Sequence, residues 1–166
     1  SRQTSGENLH RTALSEEQME RLKKIGFKTE KKTARQWNEK YALAIVGGGE
    51  EENQYKEYIS RHNLKNVHLV GFKQKKEIFE YYKAADLFVL STREDIWGLV
   101  INEAMAFGLP VVSTDMCLGA VELIENGVNG YIVPVNNSGE LTEAMKKILL
   151  EDNATISESN IQKIST

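Results

Sequence analysis

The residues best suited to chemistry lie in one stretch: Arg93-Glu94-Asp95-Ile96-Trp97-Gly98-Leu99-Val100-Ile101-Asn102-Glu103-Ala104-Met105-Ala106-Phe107-Gly108-Leu109-Pro110. It follows the apolar run Leu87-Phe88-Val89-Leu90, so its acids fall where a buried strand ends. Gly98 permits close backbone approach, and the amides after it, of Leu99 and Val100, open a predicted helix. The free amides of a helix start, with the helix dipole behind them, make an anion site suited to phosphate. Glu103, further into that helix, is a carboxylate suited to accepting hydrogen bonds from a ribose diol, as an acidic residue does in dinucleotide-binding folds. The competing interpretation is that Glu94 and Asp95 only complement the helix dipole and that Glu103 belongs to a solvated face.

Other reactive residue types carry less. His10, His62 and His68 lack metal-ligand spacing, and His68 falls in a predicted strand as a packed or edge histidine. The single cysteine, Cys117, excludes an internal disulfide framework and a cysteine-rich zinc site, and reads as a small loop residue. Tyr55, Tyr58, Tyr81 and Tyr82 fit helix packing better than a base-stacking stripe. Lys73, Lys75 and Lys76 form a short basic patch, of which Lys73 is well placed near a nucleotide. Asn153-Ala154-Thr155 matches the glycosylation sequon, which without a leader is an accident of composition.

The elements that position these residues alternate between strand and helix. Predicted strands are Tyr41–Val46, ending in Gly47-Gly48-Gly49, then Val67–Val70, Leu87–Leu90, Pro110–Ser113 and Gly130–Val133. Helices are predicted over about Glu50–His62 (Tyr55, Tyr58 and Ile59 inward), from Ile78, Phe79 and Tyr82 to Ala85, over Leu99–Phe107 and over Ala120–Glu125. A last helix is capped by Ser138, with Leu141, Ala144, Met145, Ile148 and Leu149 inward. Continuous apolar runs mark strands buried on both faces, and the alternation predicts an α/β fold: a Rossmann-like, doubly wound parallel sheet flanked by helices. Right-handed crossovers then gather the strand-to-helix loops at one edge, where ligands bind. Upstream, Ser15 and Gln18 form a capping box for a helix ending at Gly26, and Thr29–Lys40 is polar without period.

Length and composition bound the rest. The 166 residues suit about one domain; 40% apolar and 27% charged residues exclude a disordered chain, and 12 Gly with 2 Pro exclude collagen-like material. A net charge of −3 gives no general reason to expect a nucleic acid or an anionic membrane as partner. No apolar run is long enough to span a bilayer and no leader is visible, so a cytoplasmic protein is expected. Expected boundaries are 1–40 for an N-terminal helix and linker, 41–152 for the ligand-binding domain and 153–166 for a polar tail.

Asp95-x7-Glu103 with its internal Gly98, continued by Glu103-Ala104-Met105-Ala106-x-Gly108-x-Pro110-Val111-Val112, resembles the signature of family 4 (group 1) glycosyltransferases of the GT-B fold. Gly47-Gly48-Gly49-Glu50, Val67–Phe72, Tyr82-x-x-Ala85-Asp86–Ser91 and Glu122–Val133 agree in order and spacing, so the resemblance covers roughly 41–150. It implies the C-terminal, donor-binding half of a two-domain retaining enzyme, using a nucleotide-diphosphate sugar and no divalent metal or other cofactor. Its acceptor, a glycan or lipid-linked sugar, would sit on an N-terminal domain that this sequence does not contain, with peripheral membrane association of the full enzyme. By the same resemblance Asp95 would hold donor-sugar hydroxyls, the amides of Gly98, Leu99 and Val100 would meet the phosphates, and Glu103 would bind the ribose. Gly48 and Gly49 would line the nucleotide site, and Phe72 and Lys73 the base.

The sequence departs from that pattern twice. The first acid, usually Glu, is here Asp95 with Glu94 beside it, so either acid can make the sugar contact. The Arg-x4-Lys turn that binds diphosphate in the family has no convincing counterpart: Arg35-x4-Lys40 has the spacing but neither a preceding strand nor a following helix, and sequence is expected to be missing between Gly26 and Tyr41. That gap favours an alternative, a non-catalytic nucleotide-binding or interaction module. A nicotinamide dehydrogenase domain is excluded by Gly47-x-Gly49-x-x-Glu52, which lacks the third glycine of that fingerprint.

Overall fold

The computed structural model of the protein describes residues 41–150. The expected Ser15–Gly26 helix, the Arg35/Lys40 pair and the polar tail lie outside the described residues. Two compact units divide the chain between Ala84 and Ala85.

In the first unit, β1 (Leu43–Val46), α1 (Glu52–Arg61), β2 (Val67–Gly71) and α2 (Lys75–Ala84) follow in order. β1 pairs parallel with β2 from Leu43↔Val67 to Val46↔Gly71, with an irregularity between Ile45 and Val46. Tyr81 and Ala84 of α2 form the core, with Ala44 and Val70 packed against them. β1 is shorter than its apolar run, and Leu43 and Val46 are exposed, so it is not the doubly buried strand its sequence suggested. α1 also differs from expectation. It buries no residue, Ile59 is half-buried, and Tyr55 and Tyr58 are exposed. Within the helix and its caps, the Tyr55 hydroxyl donates to Glu51 and the Tyr58 ring lies 4.2 Å from that of His62. In α2 the buried pair is Tyr81 and Tyr82, with Ile78 and Phe79 half-buried.

The second unit runs β3 (Phe88–Leu90), α3 (Leu99–Ala106), β4 (Val111–Thr114), α4 (Leu118–Leu123), β5 (Gly130–Val133) and α5 (Ser138–Leu150). All its ladders are parallel, in the order β3-β4-β5, with β4 central and buried along its whole length. Val112, Val133, Ala144 and Ile148 form a core cluster beneath partly buried Leu141 and Met145, so the inward face expected of α5 is the one found. Fully burying a side chain such as Val112 or Ile148 stabilises by about 1.5–3 kcal/mol. Gly130 stands opposite Val111, where a Cβ would come within 2.0 Å of the Val111 carbonyl oxygen; only glycine lets β5 approach β4 there.

The helix ends have local causes. α3 stops in a Schellman motif: Gly108, at φ +73°, donates to the Met105 carbonyl at 2.8 Å, and Leu109 to the Ala104 carbonyl at 3.1 Å. α5 is capped by Asn137 rather than Ser138, because Asn137 Oδ1 accepts the Glu140 amide at 3.0 Å while its Nδ2 donates to Glu140 Oε1 at 2.8 Å. α4 starts at Leu118, two residues before its predicted start, because Cys117 is its N-cap.

Candidate functional site

The strand ends of the second unit share one edge of a parallel sheet, and their loops are tied together there. The Asp95 amide donates to the Met116 carbonyl at 3.3 Å, and Leu118 donates back to the Asp95 carbonyl at 3.2 Å. Asp115 joins the next pair, its Oδ1 accepting the Val135 amide at 2.9 Å. Close backbone packing tightens the contact: a Cβ on Gly119 would lie 2.0 Å from the Trp97 carbonyl oxygen.

Glu94 and Asp95 are placed by hydroxyls and amides. The buried Thr114 hydroxyl donates to the Thr92 carbonyl at 2.6 Å. Thr92 Oγ1 in turn donates to the Glu94 carbonyl at 2.9 Å and accepts the Glu94 amide at 3.2 Å. Ser113 likewise donates to the Leu90 carbonyl at 2.9 Å. Glu94 itself is exposed and Asp95 half-buried. Asp95 Oδ1 accepts two amides, from Trp97 at 3.1 Å and Gly98 at 2.8 Å.

Gly98 is the N-cap of α3, with φ +50° and ψ +49°, a left-handed conformation that glycine adopts without strain. Leu99 and Val100 follow as the first residues of the helix, and the Ile101 amide donates to the Gly98 carbonyl at 2.7 Å. Ile101 and Met105 anchor the helix, fully buried one turn apart, and Glu103, on the other side of the helix, is half-buried. Glu94, Asp95 and the turn at Gly98 thus lie in the loop between β3 and α3, and Glu103 lies within α3. One expectation changes in detail: the Gly98 amide, assigned to phosphate from sequence, is engaged by Asp95 in this structure.

Gly48, Gly49, Phe72 and Lys73 lie in the first unit, at the ends of its two strands. Gly47 rather than Gly48 or Gly49 is the glycine with positive φ, at +123°, and it donates to the Gly71 carbonyl at 2.9 Å. Nothing lies within 4 Å of a Cβ on Gly49, and only the far end of the Glu52 side chain, at 3.5 Å, approaches one on Gly48. Phe72 is 88% exposed, a large apolar surface with no core to serve. Lys73 Nζ is 4.0 Å from Glu77, whose other oxygen, Oε2, accepts the Gln74 amide at 2.9 Å.

Thr92, Thr114 and Asp115 were not singled out from sequence, although polar Ser113-Thr114 closing the apolar run Val111-Val112 is the signal that could have found them. Asn129 was quoted only as part of a pattern; it is fully buried, with Oδ1 accepting the Glu125 amide at 2.8 Å and Nδ2 donating to the Leu123 carbonyl at 2.9 Å. Cys117 is fully buried, consistent with a packing role. No helix among the described residues is long and apolar enough to cross a membrane.

A Rossmann-like α/β chain with this edge belongs to the glycosyl transferases group 1 family, a transferase family whose pattern matches residues 19–163. Among its relatives, the amylovoran biosynthesis glycosyltransferase AmsK of Erwinia amylovora is 38% identical over 117 residues, covering 66% of this chain and 28% of AmsK. The putative colanic acid biosynthesis glycosyltransferase WcaL of Salmonella typhimurium is 34% identical over 123 residues, covering 70% of this chain and 30% of WcaL. Anabaena HepE, solved in complex with UDP, superposes with a TM-score of 0.66 at 31% identity over 76% of this chain and 36% of HepE. The chain thus spans about a third of the length of these relatives.

Proposed function

We propose that this chain is the C-terminal, donor-binding half of a family 4, retaining glycosyltransferase that moves a sugar from a nucleotide-diphosphate sugar to a glycan or lipid-linked acceptor. The observation that carries the reading is the 31% identity to HepE, whose solved structure contains UDP. The names of AmsK and WcaL support polysaccharide assembly as the setting.

In this reading the opening amides of α3, at Leu99 and Val100, face the donor diphosphate, with the helix dipole behind them. Glu103 accepts hydrogen bonds from the ribose diol. Asp95 or Glu94 holds the donor-sugar hydroxyls. The protein's work is to position the donor and to offset charge on the leaving diphosphate, through groups already fixed before the reaction begins.

Thermal unfolding of the chain with UDP, GDP and their sugar conjugates tests this. A nucleotide present at 100 times its dissociation constant should stabilise the fold by about 2.7 kcal/mol. No shift with any nucleoside diphosphate at millimolar concentration would contradict the reading.

A further inference from the structure

We propose that Asp95 is a positioning residue: its Oδ1, by holding the Trp97 and Gly98 amides, sets the turn from which the diphosphate-facing amides of α3 project. The inference rests on the donor-diphosphate reading above and adds to it a reason for aspartate at this position.

The stretch between β3 and α3 has little packing of its own. Ile96 is 65% exposed and Trp97 63% exposed, so burial does not place them. Thr114 and Thr92 hold the loop only as far as Glu94, and the bonds to Met116 and Leu118 hold the Asp95 backbone. Beyond Asp95, the side-chain hydrogen bonds to the amides of Trp97 and Gly98 are those from its own Oδ1, at 3.1 and 2.8 Å. They bring the chain into the left-handed Gly98 that starts the helix. Such a cap needs a short side chain with an oxygen two bonds from Cβ, which Asp and Asn supply and Glu, one methylene longer, does not. Oδ2 takes no part in the cap and remains for a donor hydroxyl. Cap and charge are therefore separable: asparagine keeps the cap and loses the charge, whereas glutamate keeps the charge and loses the cap.

The test compares Asp95→Asn, Asp95→Glu and Asp95→Ala with the parent chain by calorimetric titration of UDP and by amide hydrogen exchange at Trp97 and Gly98. Asp95→Asn should bind UDP within about threefold of the parent and keep both amides protected. Asp95→Glu and Asp95→Ala should bind roughly tenfold more weakly and lose that protection, since both lose the two cap hydrogen bonds whatever charge they carry. The reverse order, with Asp95→Glu near the parent and Asp95→Asn weakened, would show that charge rather than the cap matters and overturn the proposal. Unchanged amide protection in Asp95→Ala would overturn it without reference to nucleotide. A parent chain that binds no UDP would defeat the donor reading instead, while the exchange data would still decide the cap. Should the glutamate and alanine variants fail to fold, loss of UDP affinity or of amide protection in Asp95→Asn alone overturns the proposal.

Discussion

Gly98 and Cys117 occupy one another's space: a Cβ on Gly98 would lie 2.6 Å from Cys117 Sγ. The turn that opens α3 is thus closed against the N-cap of α4, and the absent side chain is a condition of the fold before it is a condition of ligand binding. A substitution at Gly98 combines this clash with left-handed backbone strain, which costs on the order of 1–3 kcal/mol at a non-glycine residue. Gly98→Ala should therefore destabilise in urea unfolding by about 2–4 kcal/mol. Adding Cys117→Ala should return roughly 1 kcal/mol relative to the sum of the single effects, because the two sites share the same volume. Strict additivity would show that the contact is not what excludes a side chain.

Asn129 should matter as much to stability as any apolar core residue nearby. Its side chain satisfies one amide and one carbonyl in the α4–β5 connection from a fully buried position. Asn129→Ala leaves both without that partner, and a cost of about 2–6 kcal/mol is expected at 1–3 kcal/mol per orphaned group. Asn129→Asp should recover only part of it, since a carboxylate can accept from Glu125 but cannot donate to Leu123. Denaturant midpoints within error of the parent for both variants would exclude this role.

His68 gives the fold a weak acid sensitivity. Burial in β2 lowers its pKa below the ordinary 6.5, because the charged ring is poorly solvated there. The unfolded chain then binds the proton more readily than the folded one. This group's effect is absent above 6.5, and stability is lost as pH falls from 6.5 through the lower folded value. His68→Gln should flatten the thermal midpoint across that window and leave it unchanged at pH 8. An identical slope in parent and variant would remove His68 as the cause.

Much of this was legible in the sequence. Gly130–Val133 was placed to the residue, and Val67–Gly71 nearly so, because short apolar runs bounded by glycine are unambiguous between helices. That Glu94, Asp95 and Gly98 fall in the loop between β3 and α3 was also legible, since acids and a glycine immediately beyond a buried strand have few other places to lie. Burial was less legible. Tyr55, Tyr58 and Ile59 have the spacing of an inward face, yet α1 buries none of them, because periodicity reports which residues share a face and not what covers it. The cap of α5 moved by one residue because Asn137 and Ser138 are both good caps. The Asp95 bonds to Trp97 and Gly98 were not legible, since a carboxylate at a helix start can serve either the backbone or a ligand.

The chain by itself should not turn over. It spans about a third of the relatives it matches, and transfer needs donor and acceptor held together at about 3–3.5 Å. Incubation with a panel of sugar nucleotides and glycan or lipid acceptors should release at most traces of nucleoside diphosphate. Sustained multiple-turnover transfer would show that the acceptor is bound within these 166 residues.

The most direct measurement of the central claim is calorimetric titration of UDP into the parent chain and into Glu103→Ala, with thermal midpoints recorded for both. Glu103 is half-buried in α3, and its proposed task is to accept bonds from the ribose diol. The account predicts measurable binding by the parent and, in the variant, an affinity lower by roughly tenfold or more, the equivalent of one charge-assisted hydrogen bond at about 1.5–3 kcal/mol, with little change in midpoint. Equal affinity in the two proteins would contradict it.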